Sequence, residues 1–304
     1  MVFPGQGSQS VGMQADLAAE FPVVQQTYAE ASELLGYDLW ALVQAGPVEK
    51  LAETVITQPA MLAAGTAAYR VWLAAGGEPP TQVSGHSLGE YSALVAAESM
   101  SLADAMTVVV RRAQLMQDAV PAGVGSMAAI IGLDDDGVST ACDAASATGV
   151  AEPVNFNSPG QVVIAGHKEA VDKAIELCQA AGARRALLLP VSVPSHSSLM
   201  RGAGEALQEA LAAVQIETPA VKVVAATDGK AYTGADDVRS RLSKQVYGPV
   251  QWVTTINAII DGGASTIIEC GPGKVLAGLC RRINKATPVS FIDSSDSLQK
   301  ALQA

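Results

Sequence analysis

The sequence predicts an α/β protein in which a small βαββαβ unit interrupts a larger core built on a parallel sheet. Three observations carry this. Helical patterns alternate with short Val/Ile-rich runs, as expected for strands covered by helices. A Gly-x-Ser-x-Gly turn at residues 85–89 sits between a strand signal and a helix signal. Between residues 123 and 192 the order strand-helix-strand-strand-helix-strand is complete in one stretch, the split-βαβ or ferredoxin-like plan. The expected organisation is therefore a main subdomain from residues 1–122 and 193–304, with 123–192 inserted into it.

Composition fits a sizeable core. Nearly half of the 304 residues are apolar but only 4% are aromatic, so Ala, Val, Leu and Ile must fill most of it. The length suits one large domain carrying a smaller insert. A net charge of −11, with only 19 Lys plus Arg, argues against nucleic acid or an anionic membrane as a partner of the overall field. No run approaches the roughly 20 apolar residues of a membrane span, and the start has no charged region leading into an apolar one. The expected location is the cytoplasm. The four cysteines show no CxxC spacing and no nearby His, which reads as free thiols in a reducing compartment with no metal site.

The elements follow in order. Val2-Phe3-Pro4 enters a glycine-rich turn at once; a strand needs more residues, so this start reads as shortened or replaced. Helical patterns run from 13 to 75 and end at Glu78-Pro79-Pro80. Residues 81–84 give a weak strand signal, since only Val83 is strongly β-forming. After the serine turn, Leu88, Tyr91, Leu94 and Val95 recur at helical spacing. Ser101 is a good N-cap for a helix with Ala105, Val109 and Met116 on one face. The insert reads as strands at 127–133, 150–155, 161–165 and 185–191, with helices at 134–147 and 169–181. Beyond it come a helix at 198–214, a strand at 221–225, a helix at 249–261 and a buried strand at 265–269. A final clear helix covers 274–283.

Ser87 is the candidate nucleophile. On so tight a turn only small flanking residues avoid clashes, and the hydroxyl is held at a helix N-terminus that favours developing negative charge. The bland alternative is a helix-opening turn in which Ser87 merely caps. Three histidines could supply a base. His86 is the neighbour of Ser87 and should point away, as a packing or hydrogen-bonding residue. His167 lies in the insert, where a surface role fits. His196 lies in Val193-Pro194-Ser195-His196-Ser197, where the chain leaves the insert, and is favoured by elimination. No histidine follows it, whereas a standard α/β-hydrolase places its histidine late, so a different plan or a Ser–His dyad is expected.

Arg112 is anomalous. It shares a helix face with Ala105, Val109 and Met116, while Arg111 falls with Asp104 and Asp118, which could pair it. A guanidinium on an apolar stripe needs an anion. A structural carboxylate could supply it, or Arg112 could clamp the carboxylate of a substrate.

Together the blocks Phe3-Pro4-Gly5-Gln6-Gly7-Ser8-Gln9, Thr57-Gln58-Pro59-Ala60 and Gly85-His86-Ser87-Leu88-Gly89-Glu90 resemble the malonyl-CoA:acyl carrier protein transacylases. Asn155-Phe156-Asn157-Ser158-Pro159-Gly160-Gln161, Val193-Pro194-Ser195-His196 and Gly271-Pro272-Gly273-Lys274-Val275-Leu276 extend the likeness over nearly the whole chain. The resemblance implies a hydrolase-like core with a ferredoxin-like subdomain. It implies an acyltransferase that moves malonyl from malonyl-CoA to acyl carrier protein through an ester on Ser87, without a metal or redox cofactor. His196 would be the base, Gln6 and Leu88 the oxyanion donors, and Arg112 the partner of the malonyl carboxylate. Gln245 would orient the histidine through its carbonyl, and Gln58 would line the pocket. The free-standing bacterial enzyme of fatty acid synthesis, acting as a monomer, fits best. A transacylase serving polyketide carriers and, further off, a serine thioesterase remain alternatives. Because such carriers are acidic, the basic cluster Lys274, Arg281, Arg282 and Lys285 is a candidate dock, the alternative being a solvated helix end.

Overall fold

A computed structural model describes residues 1–121, 123–191 and 193–303. Its larger sheet has five strands: β1 (Val2–Phe3), β2 (Gln82–Gly85), β7 (Lys222–Val223), β8 (Ile267–Cys270) and β9 (Val289–Ile292). They are ordered β7-β2-β1-β8-β9 and every pairing is parallel. Helices pack around this sheet, giving the α/β core expected. The smaller sheet is antiparallel, with β3 (Gly125–Ile131), β4 (Ala151–Ser158), β5 (Gln161–His167) and β6 (Arg185–Leu188) ordered β4-β5-β3-β6. Helices Asp135–Ala145 and Lys168–Ala180 bury Val138, Cys142, Val171 and Cys178 against Ile130, Val162 and Ile164. Residues 122 and 192, at the expected boundaries of the insert, and 304 lie outside the described residues.

The weak strand signals have a common explanation. Val2–Phe3 is only two residues long, yet it is the central strand, paired to β2 on one side and β8 on the other. The expectation that so short a run could not make a strand is corrected, because neighbours on both sides supply what local propensity lacks. All four residues of β2 are buried. Three elements escaped the sequence reading. Helix Ala235–Gln245 is mostly polar and buries only Val238, Leu242, Ser243 and Gln245. After Ile283, expected to end the last helix, come β9 and helix Ser295–Leu302. The latter opens with a capping box of Ser294 and Ser297, which lacks the Glu or Gln usual at the second position.

All four cysteines are buried and unpaired. Among the described residues no helix is long and apolar enough to cross a membrane.

Candidate active site

In a parallel sheet every strand ends on the same edge, and loops from that edge converge. Here the loop after β1 carries Gln6, the turn after β2 carries Ser87, and the loop after β8 carries Gly271 to Lys274. Gln6 and Ser87 line a cavity of about 340 Å³ together with Val275, Leu276 and Leu279, which follow the third loop; its far wall comes from Met127, Asn155, Gln161 and Leu189 of the smaller sheet and its exit.

The serine turn is as tight as its glycines suggest. A Cβ on Gly85 would lie 1.9 Å from the Gly89 carbonyl carbon, and one on Gly89 would lie 2.1 Å from the Phe3 carbonyl oxygen. Ser87 itself has φ of 52°, a left-handed conformation costly for a non-glycine residue. Strain of this kind is retained where it aims a side chain.

Ser87 Oγ lies 2.7 Å from His196 Nε2. His196 Nδ1 faces two carbonyl oxygens, Gln245 at 2.8 Å and Gly248 at 3.2 Å. Nδ1 must therefore carry the proton, which leaves the Nε2 lone pair to accept from the serine hydroxyl. His196 also has a positive φ, 68°, and its N–H donates to Val246. Burial and then the nearby Arg112 charge lower its pKa to about 3, so the imidazole rests neutral. The other histidines fall as expected. His86 is 2.8 Å from Asn157 Oδ1 and packs edge-on against Trp252, whereas His167 ends β5 and accepts from Val150 N–H.

Arg112 is 2% exposed. Its Nη1 donates to Gln58 Oε1 at 2.7 Å, and its Nη2 to Gln245 Oε1 at 3.1 Å and Ser87 Oγ at 3.2 Å. Among the described residues no carboxylate pairs with it, so the structural ion pair is not made. Nor does Arg111 pair with Asp104 or Asp118 as expected: Asp104 accepts from Ser101 and Asp118 from Gln114. The Gln58 amide is completed by a long contact to Met116 Sδ, 3.6 Å.

Gln6 and Leu88 both border the cavity, Gln6 exposed and Leu88 1% exposed. Neither backbone N–H donates to another described backbone group, which leaves both available to an incoming oxygen. The basic cluster is exposed at all four positions. Arg281 donates to the Val289 carbonyl and Arg282 reaches across the cleft to Gln161 Oε1 at 2.6 Å. The sequence reading missed Glu90, Tyr232 and Asn157, all of which hold groups that touch the site. Glu90 stood inside a quoted motif, but nothing in its spacing signalled burial.

Comparison with known proteins agrees with this geometry. Residues 1–301 match the family described as acyl transferase domain. The chain is 53% identical over 302 residues to the malonyl CoA-acyl carrier protein transacylase of Escherichia coli (strain K12), covering 99% of this chain and 98% of that one. It is 39% identical to the Bacillus subtilis (strain 168) protein of the same name, covering 99% and 95%. The crystal structure of an acyl carrier protein S-malonyltransferase from Vibrio cholerae superposes with a TM-score of 0.95 at 52% identity, covering 99% and 98%. A malonyl-transacylase in complex with a type II PKS acyl-carrier protein superposes with a TM-score of 0.98 at 51% identity, covering 100% and 98%. With its sheets, its serine turn and its buried arginine accounted for, the chain belongs to the malonyl CoA-acyl carrier protein transacylases of the acyl transferase family.

Proposed function

We propose that this enzyme transfers malonyl from malonyl-CoA to the phosphopantetheine thiol of an acyl carrier protein, by way of a malonyl ester on Ser87. The observation that carries the reading is the meeting of two groups at one atom. Ser87 Oγ has a neutral imidazole 2.7 Å away and, 3.2 Å away, a guanidinium with no carboxylate partner among the described residues, so nucleophile and anion site share one cavity.

In the first half-reaction His196 Nε2 takes the Ser87 proton as Oγ attacks the thioester carbon. The N–H groups of Gln6 and Leu88 receive the oxyanion, each such donor being worth ~3 kcal/mol in comparable sites. The C–S bond then breaks, and the CoA sulfur leaves with the proton from His196. In the second half the carrier thiol passes its proton to His196 and its sulfur attacks the ester. Ser87 Oγ leaves and recovers the proton. A dyad suffices because the Gln245 and Gly248 carbonyls fix the imidazole tautomer.

Arg112 receives the malonyl carboxylate, with Gln58 and Gln245 holding the guanidinium in place. The bound carboxylate also offsets the positive charge that depresses His196, so a correct substrate strengthens its own base. Acetyl-CoA offers neither effect.

The division of labour follows the chain: 1–122 with 193–304 is the catalytic subdomain, and 123–192 walls the acyl cavity. The carrier docks on Lys274, Arg281, Arg282 and Lys285, a patch of cations without carboxylate partners among the described residues, beside the cavity residues Leu276 and Leu279. The enzyme acts as a cytoplasmic monomer in fatty acid synthesis, since one chain supplies the whole site. The test is intact-mass spectrometry after mixing with malonyl-CoA or acetyl-CoA without acceptor. A stable malonyl adduct absent from Ser87→Ala, with little acetyl adduct, is the expected result. Release of CoA without an adduct would assign the chain to a thioesterase instead.

A further inference from the structure

Arg112 presents a problem that its role as an anion site does not solve. A buried cation is costly without a counter-charge, yet a carboxylate held directly against an arginine occupies donors and neutralises charge that a substrate carboxylate would use. The resolution lies one residue behind it.

Glu90, fully buried, sits on the far side of the Gln245 side chain from Arg112. The Gln245 amide bridges the two. Its Oε1 accepts from Arg112, and its Nε2 donates to a Glu90 oxygen and, at 3.0 Å, to the Ser87 carbonyl. Only this orientation works. Turned over, the amide would set NH₂ against a guanidinium and oxygen against two acceptors. The other Glu90 oxygen meets Tyr232 Oη at 2.6 Å; burial pushes the carboxyl pKa up, and the Tyr232 and Gln245 hydrogen bonds act against that in favour of the ionised form. Behind Tyr232, Arg241 stacks 4.6 Å from the ring centroid and is itself paired with Asp228 and Asp237. The carboxylate is therefore held from two sides, by Tyr232 and Gln245, with Arg241 bracing Tyr232.

We infer that Glu90 is a positioning residue for acyl selectivity: through the Gln245 amide it supplies negative charge to Arg112 without itself occupying the guanidinium's donors, of which Nε–H has no partner among the described residues. Gln245 is then a spacer as well as the source of the carbonyl that orients His196. Direct contact between Glu90 and Arg112 would fill the anion site; removal of Glu90 would leave the amide held only by Arg112 and the Ser87 carbonyl, and the guanidinium without its counter-charge. This rests on the transacylase reading above.

The experiment compares the rates of Ser87 acylation by malonyl-CoA and acetyl-CoA in the wild type, Glu90→Gln and Gln245→Met, by intact mass. A serine-directed fluorophosphonate, which needs no anion site, reports the Ser87–His196 pair in parallel. Glu90→Gln should lower the malonyl-to-acetyl ratio by about tenfold or more, the scale of a lost charged hydrogen bond, with fluorophosphonate labelling unchanged. Gln245→Met, which keeps the backbone carbonyl but removes the amide between Glu90 and Arg112, should lower the ratio as well; because it also removes the donor to the Ser87 carbonyl, the labelling control is read in Glu90→Gln. Tyr232→Phe, a milder change should Glu90→Gln fail to fold, should shift the ratio in the same direction by less. An unchanged ratio in the folded variants overturns the inference, as does a loss of labelling in Glu90→Gln in step with malonyl transfer, which would mean a general structural role. Failure of the wild type to form a malonyl adduct would instead overturn the transacylase reading itself.

Discussion

The two sheets meet at one cavity but contribute to it differently. The parallel sheet sends strand ends into the site: its loops carry Gln6 and Ser87, and the turn after β8 leads into Val275 and Leu276 at the cavity wall. The antiparallel sheet offers a face and an edge, from which Asn155, Asn157 and Gln161 reach the cavity. The two are joined by backbone: Asn155 bridges Val250, whose N–H donates to the Val154 carbonyl. That link falls two residues after Gly248, a carbonyl partner of His196. A register shift in β4 at this point lets the strand leave its ladder and make the bridge. Convergent strand ends suit chemistry, because several backbones can aim groups at one point; a broad antiparallel face suits containment.

The comparison can be broken most severely at the parallel edge. His196→Ala should slow Ser87 acylation by on the order of 10⁴-fold while leaving the fold intact by circular dichroism; a loss below about tenfold would place the base elsewhere. Next in size is Arg112→Ala, expected to cut the malonyl-to-acetyl ratio by about 10²-fold or more, read by adduct mass. An unchanged ratio would remove the anion site from Arg112.

The pH response sharpens the same point. The His196 pKa is held near 3 by burial and by Arg112, so fluorophosphonate labelling of the free enzyme should persist well below the usual histidine range near 6.5. Removing the Arg112 charge should move the acid limb upward. The sign for stability is consistent. Folded His196 stays neutral while the unfolded chain binds a proton below about 6.5, so its contribution is complete above that pH and is lost as pH falls toward 3. An acid limb at the ordinary histidine value, unmoved in Arg112→Ala, would contradict this.

The antiparallel side should give smaller effects. Asn157→Ala removes the partner of His86 and should raise KM for malonyl-CoA several-fold with little change in labelling. A loss as large as that of His196→Ala would mean that the smaller sheet takes part in the chemistry. Charge reversal at Arg281 and Arg282 should raise KM for the carrier a few-fold and leave acylation by malonyl-CoA untouched.

Much of this was legible in the sequence. Gly85 to Gly89 announced a crossing too tight for a Cβ, and Arg112 announced itself by lying on the face of Ala105, Val109 and Met116. The βαββαβ order of the insert followed from local signals, because its two helices are amphipathic and its strands are short apolar runs between them. His196 was found by elimination, with Gln245 assigned to it only by family likeness.

What the sequence could not determine lay where local signal is weak and long-range contact decides. Val2–Phe3 is a strand only because β2 and β8 flank it. Helix Ala235–Gln245 carries few apolar residues, yet its end delivers both the carbonyl for His196 and the amide for Arg112. Glu90 looks like any acidic residue in the first turn of a helix until Tyr232 and Gln245 close over it from more than 140 residues away. Sequence periodicity encodes which face of an element is buried; only the assembled chain decides which buried polar groups meet, because each must find its partner across the fold.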